Sequence, residues 1–200
     1  MNKSKESEKT EQGNIDFSLS DEQKKLLLQL ARNTLVNQLK GEKTEELDLS
    51  NPLFDKDLGA FVTLRQPSGD LRGCIGHMTP IKPIREAIPD LAMSAATQDP
   101  RFPPVQKKEV DGLHIEISLL SPMKKIEDWH EIKIPGHGVY VRKGFRSGVF
   151  LPQVAEETGW DRETFMQHLC AGKAGLSPNA WKEPDTELFI FNVEKFEEEK

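Results

Sequence analysis

Apolar and small residues recur at three- and four-residue steps from Leu26 to Leu39, through Leu27, Leu30, Ala31, Thr34 and Leu35. That spacing predicts one amphipathic helix. Ser20 stands ahead of it with Gln23 three positions on, a capping-box start, and Gly41 ends it. After a polar linker, residues 60–64 (Ala-Phe-Val-Thr-Leu) read as a strand. Gln66-Pro67-Ser68-Gly69-Asp70 is a turn signal, so the segment from Leu71 returns as the second strand of a hairpin that ends at Thr79-Pro80. Residues 83–97 carry Ile84, Ile88, Leu91, Ala92 and Ala95 on one helical face, with Pro89 expected to kink or split that helix.

Leu113, Ile115, Ile117 and Leu119 alternate with His114, Glu116 and Ser118, which predicts a half-buried strand. Short strands follow at 139–141 and 149–151, joined by a turn rich in glycine and basic residues. Pro152 opens one helix, and Asp161 caps another that carries Phe165, Leu169 and Cys170. Residues 188–193 form a closing strand, after which the Glu/Lys tail is expected to fray. Hairpins dominate, and neither βαβ alternation nor a phosphate-binding glycine loop occurs. The pattern predicts an α+β fold with antiparallel sheet, preceded by a disordered tail over residues 1–14 and otherwise one domain over 15–200.

Composition narrows the class. Apolar residues make up 36% and charged residues 30% of the chain, the balance of a water-exposed globular protein. No apolar run approaches the ~20 residues that span a bilayer, and residues 1–13 lack the apolar core of a secretion signal. A cytoplasmic location is the expectation. The formal net charge of −6 argues against nucleic acid as the partner. Lys124, Lys125, Lys133, Arg142, Lys143 and Arg146 are interleaved with Glu127, Asp128 and Glu131, as on a mixed solvated surface. Two cysteines, Cys74 and Cys170, make no disulfide framework.

Candidate chemistry gathers at Leu71-Arg72-Gly73-Cys74-Ile75-Gly76. In a strand Arg72 and Cys74 share a face, and a cation beside a thiol favours its nucleophilic form. The plain alternative is a small buried hydrophobe. Gly73 and Gly76 mark close approach of a ligand or another backbone. His77 completes Cys-x-x-His, a pair of ligands or a nucleophile and its base; structural zinc needs four ligands, and no others stand at a diagnostic spacing. His137, between Gly136 and Gly138, is a second acid/base candidate. Asp99 and Arg101, in the proline-rich loop Asp99-Pro100-Arg101-Phe102-Pro103-Pro104, either anchor that loop or clamp a polar substrate. Lys173 lies at a helix end, as a dipole partner or a substrate contact. No metal and no cofactor is implied.

The hexapeptide resembles the hallmark of the AMMECR domain family, protein A of the AmmeMemoRadiSam system. Asp99-Pro100-Arg101-Phe102-Pro103-Pro104, Glu116-Ile117-Ser118, Gly136-His137-Gly138, Leu151-Pro152-Gln153-Val154-Ala155 and Lys173-Ala174-Gly175-Leu176 are similar to further family motifs, in the family's order. The likeness runs from about Leu19 to Glu197. It implies a larger subdomain made of N- and C-terminal portions, a smaller inserted one, and a cleft between them that the hexapeptide faces. It also implies Memo-like and radical SAM proteins as partners. It supplies a fold and a site but no reaction, leaving a thiol-dependent enzyme centred on Cys74, or a relic of one, beside a non-catalytic adaptor.

Overall fold

The computed structural model describes residues 18–199. The tail expected over residues 1–14 lies outside the described residues. In chain order the elements are α1 (Asp21–Leu35), β1 (Gly59–Arg65), β2 (Leu71–His77), α2 (Ile84–Thr97), β3 (His114–Leu120), β4 (Lys124–Ile126), β5 (Gly138–Lys143), β6 (Arg146–Phe150), α3 (Pro152–Thr158), α4 (Arg162–His168), β7 (Glu187–Phe191) and β8 (Val193–Glu197). Two four-stranded antiparallel sheets result, one ordered β2-β1-β3-β8 and the other β4-β7-β5-β6. The α+β reading holds.

The first sheet turns one face to α1 and α2. Ala60, Val62, Leu64, Ile115, Ile117 and Leu119 from the strands meet Leu27, Leu35, Ile84, Ile88 and Leu91 from the helices in one apolar cluster. A second cluster lies under the other sheet, where Val139, Val141 and Ile190 meet Phe165, Met166, Leu169 and Trp181. The capping box at Ser20 forms as the sequence predicts, with Ser20 Oγ accepting from the Gln23 N–H and Gln23 Oε1 from the Ser20 N–H.

Pro89 neither ends nor splits α2, which runs unbroken from Ile84 to Thr97. An interior proline costs a helix about 3 kcal/mol, chiefly by deleting one N–H bond. Ile84, Ile88 and Leu91 are each at most 3% exposed, and burying one such side chain is worth about 1.5–3 kcal/mol. Packing outweighs the proline. The strand expected to be half-buried, β3, is buried on both faces: Ile115, Ile117 and Leu119 meet the helices, and on the other face Glu116 lies under the Arg65 and Lys195 side chains of the flanking strands.

The closing strand differs more. Residues 188–193 divide at Asn192: β7 belongs to the second sheet and β8 to the first. The tail does not fray there. Arg32 Nε donates to Glu198 Oε1 at 2.9 Å, and the Ile115 N–H donates to Glu198 Oε2 at 2.9 Å, which ties the chain end to α1 and β3. The crossing at Asn192 lies beside the other crossing, between β3 and β4. The Ser121 N–H donates to the Asn192 carbonyl at 3.0 Å, and the Asn192 N–H donates to Ser121 Oγ at 2.9 Å. No helix among the described residues is long and apolar enough to cross a membrane.

Candidate functional site around Cys74

β2 is the edge strand of the first sheet, so every second residue along it has main-chain groups pointing away from β1. Cys74 is one of these. Its N–H donates to Asp99 Oδ2 at 2.8 Å, and its carbonyl accepts from Arg101 Nη2 at 3.4 Å. Arg101 also grips Asp99 through Nε at 2.9 Å and Nη2 at 2.6 Å, and through its own N–H at 3.1 Å. The pair acts as a clamp on one peptide of the open edge. Arg101 beside the Asp99 carboxylate, helped by the Cys74 N–H, holds that carboxyl well below the usual carboxylate range against the opposing effect of burial.

Because the main-chain groups of Cys74 point outward, its pairing with Thr63 on β1 is of the non-hydrogen-bonded kind, in which side chains lie closer together. Thr63 Oγ1 accordingly donates to Cys74 Sγ at 3.1 Å. Thr63 in turn faces Glu116 on β3, so Cys74, Thr63 and Glu116 form one row across the sheet face turned away from the helices. Glu116 is buried and accepts from Arg65 Nε at 3.4 Å and Lys195 Nζ at 2.9 Å. Cys74 itself is half-buried. Cys170 is sealed in the second core, where burial pushes its thiol up.

The other sequence candidates fall in several places. Arg72 does not turn its guanidinium toward the sulfur: Nε and Nη2 donate to the Glu109 carboxylate at 2.9 and 3.2 Å, and Nη1 donates to the Pro103 carbonyl at 2.9 Å. That fork holds the loop before β3 against the edge strand and leaves the Arg72 side chain 7% exposed. His77 stands three residues from Cys74 in an unbulged stretch of β2, which puts the two on opposite faces. His77 instead borders a cleft of about 280 Å³ between the sheet and α2, with Leu58, Ala60, Lys82, Asp90, Leu91 and Ser94. Cys74 and His77 therefore do not converge on one ion, and no group of three metal-ligating side chains occurs among the described residues.

His137 lies in the other half of the molecule, before β5, where its Nδ1 accepts from the Lys133 N–H at 3.2 Å. Burial first, then Lys133 and Lys124, hold this imidazole below its usual range. Lys173 Nζ sits 5.9 Å from the centre of the Phe150 ring, and its backbone lies on Gly148 of β6. Gly73 and Gly76 are packing positions. A Cβ on Gly73 would fall 2.1 Å from the Ala95 carbonyl oxygen of α2, and one on Gly76 2.3 Å from the Phe61 ring.

Thr63, Glu116, Arg65 and Lys195 were not among the sequence candidates. The signal for Thr63 was available: it is the polar residue of an apolar strand, and the turn at 66–70 fixes which β2 residue it faces. Nothing in the sequence brings Lys195 to Glu116, since that contact depends on β8 returning to the first sheet.

The polar partners of residues 72–74 all come from the half of the molecule built on the first sheet. Known proteins share this arrangement of the chain. The crystal structure of an uncharacterised protein, PH0010 from Pyrococcus horikoshii, superposes with a TM-score of 0.75 at 42% identity, over 92% of this chain and 95% of that one. Protein MK0488 of Methanopyrus kandleri is 46% identical over 191 residues, 91% of each chain. A protein of Methanothermobacter thermautotrophicus is 39% identical over 188 residues, 90% of this chain and 97% of its own length. The AMMECR1 domain matches residues 28–196, and the chain belongs to the AMMECR1 family.

Proposed function

We propose that this AMMECR1-domain protein uses Cys74 as a nucleophile on a small electrophilic substrate bound at the polar face of the first sheet. The observation that carries this reading is the Cys74 sulfur itself. It is half-buried, receives a hydroxyl donor from Thr63 at 3.1 Å, and stands on a strand edge held rigid by Asp99 and Arg101. A hydroxyl that donates to the sulfur favours its thiolate, which is the nucleophilic form. Arg72 serves as support for the adjoining loop, and His77 and His137 are left out of the reaction. The proposed domain is the single unit 15–200, with residues 121–192 as its smaller subdomain, and its proposed location is the cytoplasm, where both thiols stay reduced.

Native-state alkylation tests this directly, because Cys170 is 0% exposed and does not compete. Iodoacetamide is expected to modify Cys74 at least severalfold faster than a free cysteine peptide at the same pH, and Thr63→Val to slow it. A rate no faster than the peptide's would remove the covalent reading.

One observation favours a second function, that of an adaptor. Phe145 occupies the two-residue turn between β5 and β6 beside Gly144, whose φ is +58°, and stands fully exposed. Burying such a ring in a partner's pocket is worth about 2–3 kcal/mol. In this reading the partner is a Memo-like or radical SAM protein. Phe145→Ser is expected to weaken binding to the purified partners roughly 30-fold or more, measured by titration calorimetry; unchanged affinity, or no binding by the unaltered chain, would exclude it.

A further inference from the structure

The charges on the Cys74 face are paired, but the two members of each pair sit at different depths. The Asp99 side chain is 2% exposed and that of Glu116 9%, whereas those of their partners Arg101, Lys195 and Arg65 are 55%, 41% and 33% exposed. Each buried carboxylate lies beneath a cation and holds its head toward solvent. Glu197 is an exposed acid on this face, and it pairs with His114 Nε2 at 3.2 Å.

Donors remain unused. Arg101 Nη1 and Arg65 Nη2 have no hydrogen-bond partner among the described residues, and Lys195 Nζ commits only to Glu116. Cys74 and Glu116 are separated by Thr63 alone, and successive cross-strand pairs stand ~4.5 and ~5.5 Å apart. Arg101 on one side and Arg65 with Lys195 on the other thus bracket the sulfur within about one Debye length.

The three cations Arg101, Arg65 and Lys195 balance the three acids Asp99, Glu116 and Glu197, but two of the acids are buried beneath their partners, so the heads turned to solvent on this face are mainly cationic in a chain of formal charge −6. We propose that the Cys74 face selects a small anionic substrate, one carrying a carboxylate or phosphate next to the carbon that the sulfur attacks; the inference rests on the thiol reading above. Arg101, Arg65 and Lys195 are the recognising groups. Arg72, which the sequence offered for that task, is spent on Glu109.

Two alkylating agents that differ only in charge separate the inference from the reading beneath it. With either reagent the sulfur's electron pair forms an S–C bond, the C–I bond breaks, iodide leaves and the thiol proton passes to solvent. Iodoacetate carries a carboxylate and iodoacetamide does not. For the full chain at low salt, the ratio of iodoacetate to iodoacetamide rates is expected to be about tenfold above that of a cysteine peptide. It should fall toward the peptide's ratio in 1 M KCl. Lys195→Gln on β8 should lower the ratio, and Arg65→Gln should do the same. A fast iodoacetamide reaction with a peptide-like or salt-insensitive ratio overturns the anion preference alone. Failure of iodoacetamide to outpace the peptide overturns the thiol reading and this inference with it.

Discussion

Gly73→Ala is expected to lower stability by about 3 kcal/mol, read as a shift in the urea midpoint at constant slope. In thermal unfolding the same loss corresponds to roughly 6–12 °C for a chain of this size. The cause is local and steric. The added methyl would lie 2.1 Å from the Ala95 carbonyl oxygen and 3.0 Å from its carbon, and both are backbone atoms with no rotamer to relieve the clash. Either α2 lifts from the edge strand or β2 bends away from it. Both movements open the contact that buries Ile88, Leu91 and Ala92. Gly172→Ala is the matched control, since a Cβ there meets nothing within 4 Å. A Gly73→Ala midpoint equal to that of the control would mean that α2 does not press on β2 as described.

Asp99→Ala is expected to be the next most damaging change, at about 1.5–3 kcal/mol. It leaves the Cys74 N–H without its acceptor on the strand edge and releases Arg101 from the carboxylate that holds its Nε, Nη2 and N–H. Asp99→Asn should lose less, because an amide oxygen still accepts from Cys74. The sign of the pH effect follows from the carboxyl's lowered value in the folded state, set first by Arg101. Such a group stabilises fully above its unfolded value of ~3.9, and the contribution fades as pH falls below that point. Acid unfolding of the unaltered chain should therefore carry an Asp99 component between pH 4 and lower values that Asp99→Asn removes. An acid limb of the same steepness in both proteins would show that Asp99 does not titrate through this clamp.

Much of the fold is readable in the residues because its local signals agree with one another. Capping at Ser20, the turn at 66–70 and the proline at 152 each mark an element that forms where it is expected. The failures share a different cause, which is tertiary context. Residues 188–193 are an apolar run interrupted only by Asn192, and the partner strands decide that it is divided there between two sheets. Pro89 is overridden by burial that no local rule counts.

At the site, parity along β2 already separates Cys74 from His77, so the opposed faces were legible. The occupant of each position was not. Arg72 reads as a cation for the thiol until Glu109, on a short helical turn 37 residues away, takes both of its bidentate donors. Thr63 and Glu116 read as the polar half of two strands. They become a site only when pairing lines them up with Cys74.

The two crossings at Ser121 and Asn192 bear on how such a protein is built. Leu120 and Val193 are direct partners in the first sheet, so residues 121–192 occupy the place that a two-residue turn fills in an ordinary hairpin. The whole second sheet with its helices hangs from a single rung of the first. Its length can change, or the segment can be exchanged for another, without altering any other pairing in the first sheet. Pairing β8 with β3 across that rung closes a loop as long as the whole segment 121–192, so it carries a larger closure entropy than a two-residue turn would.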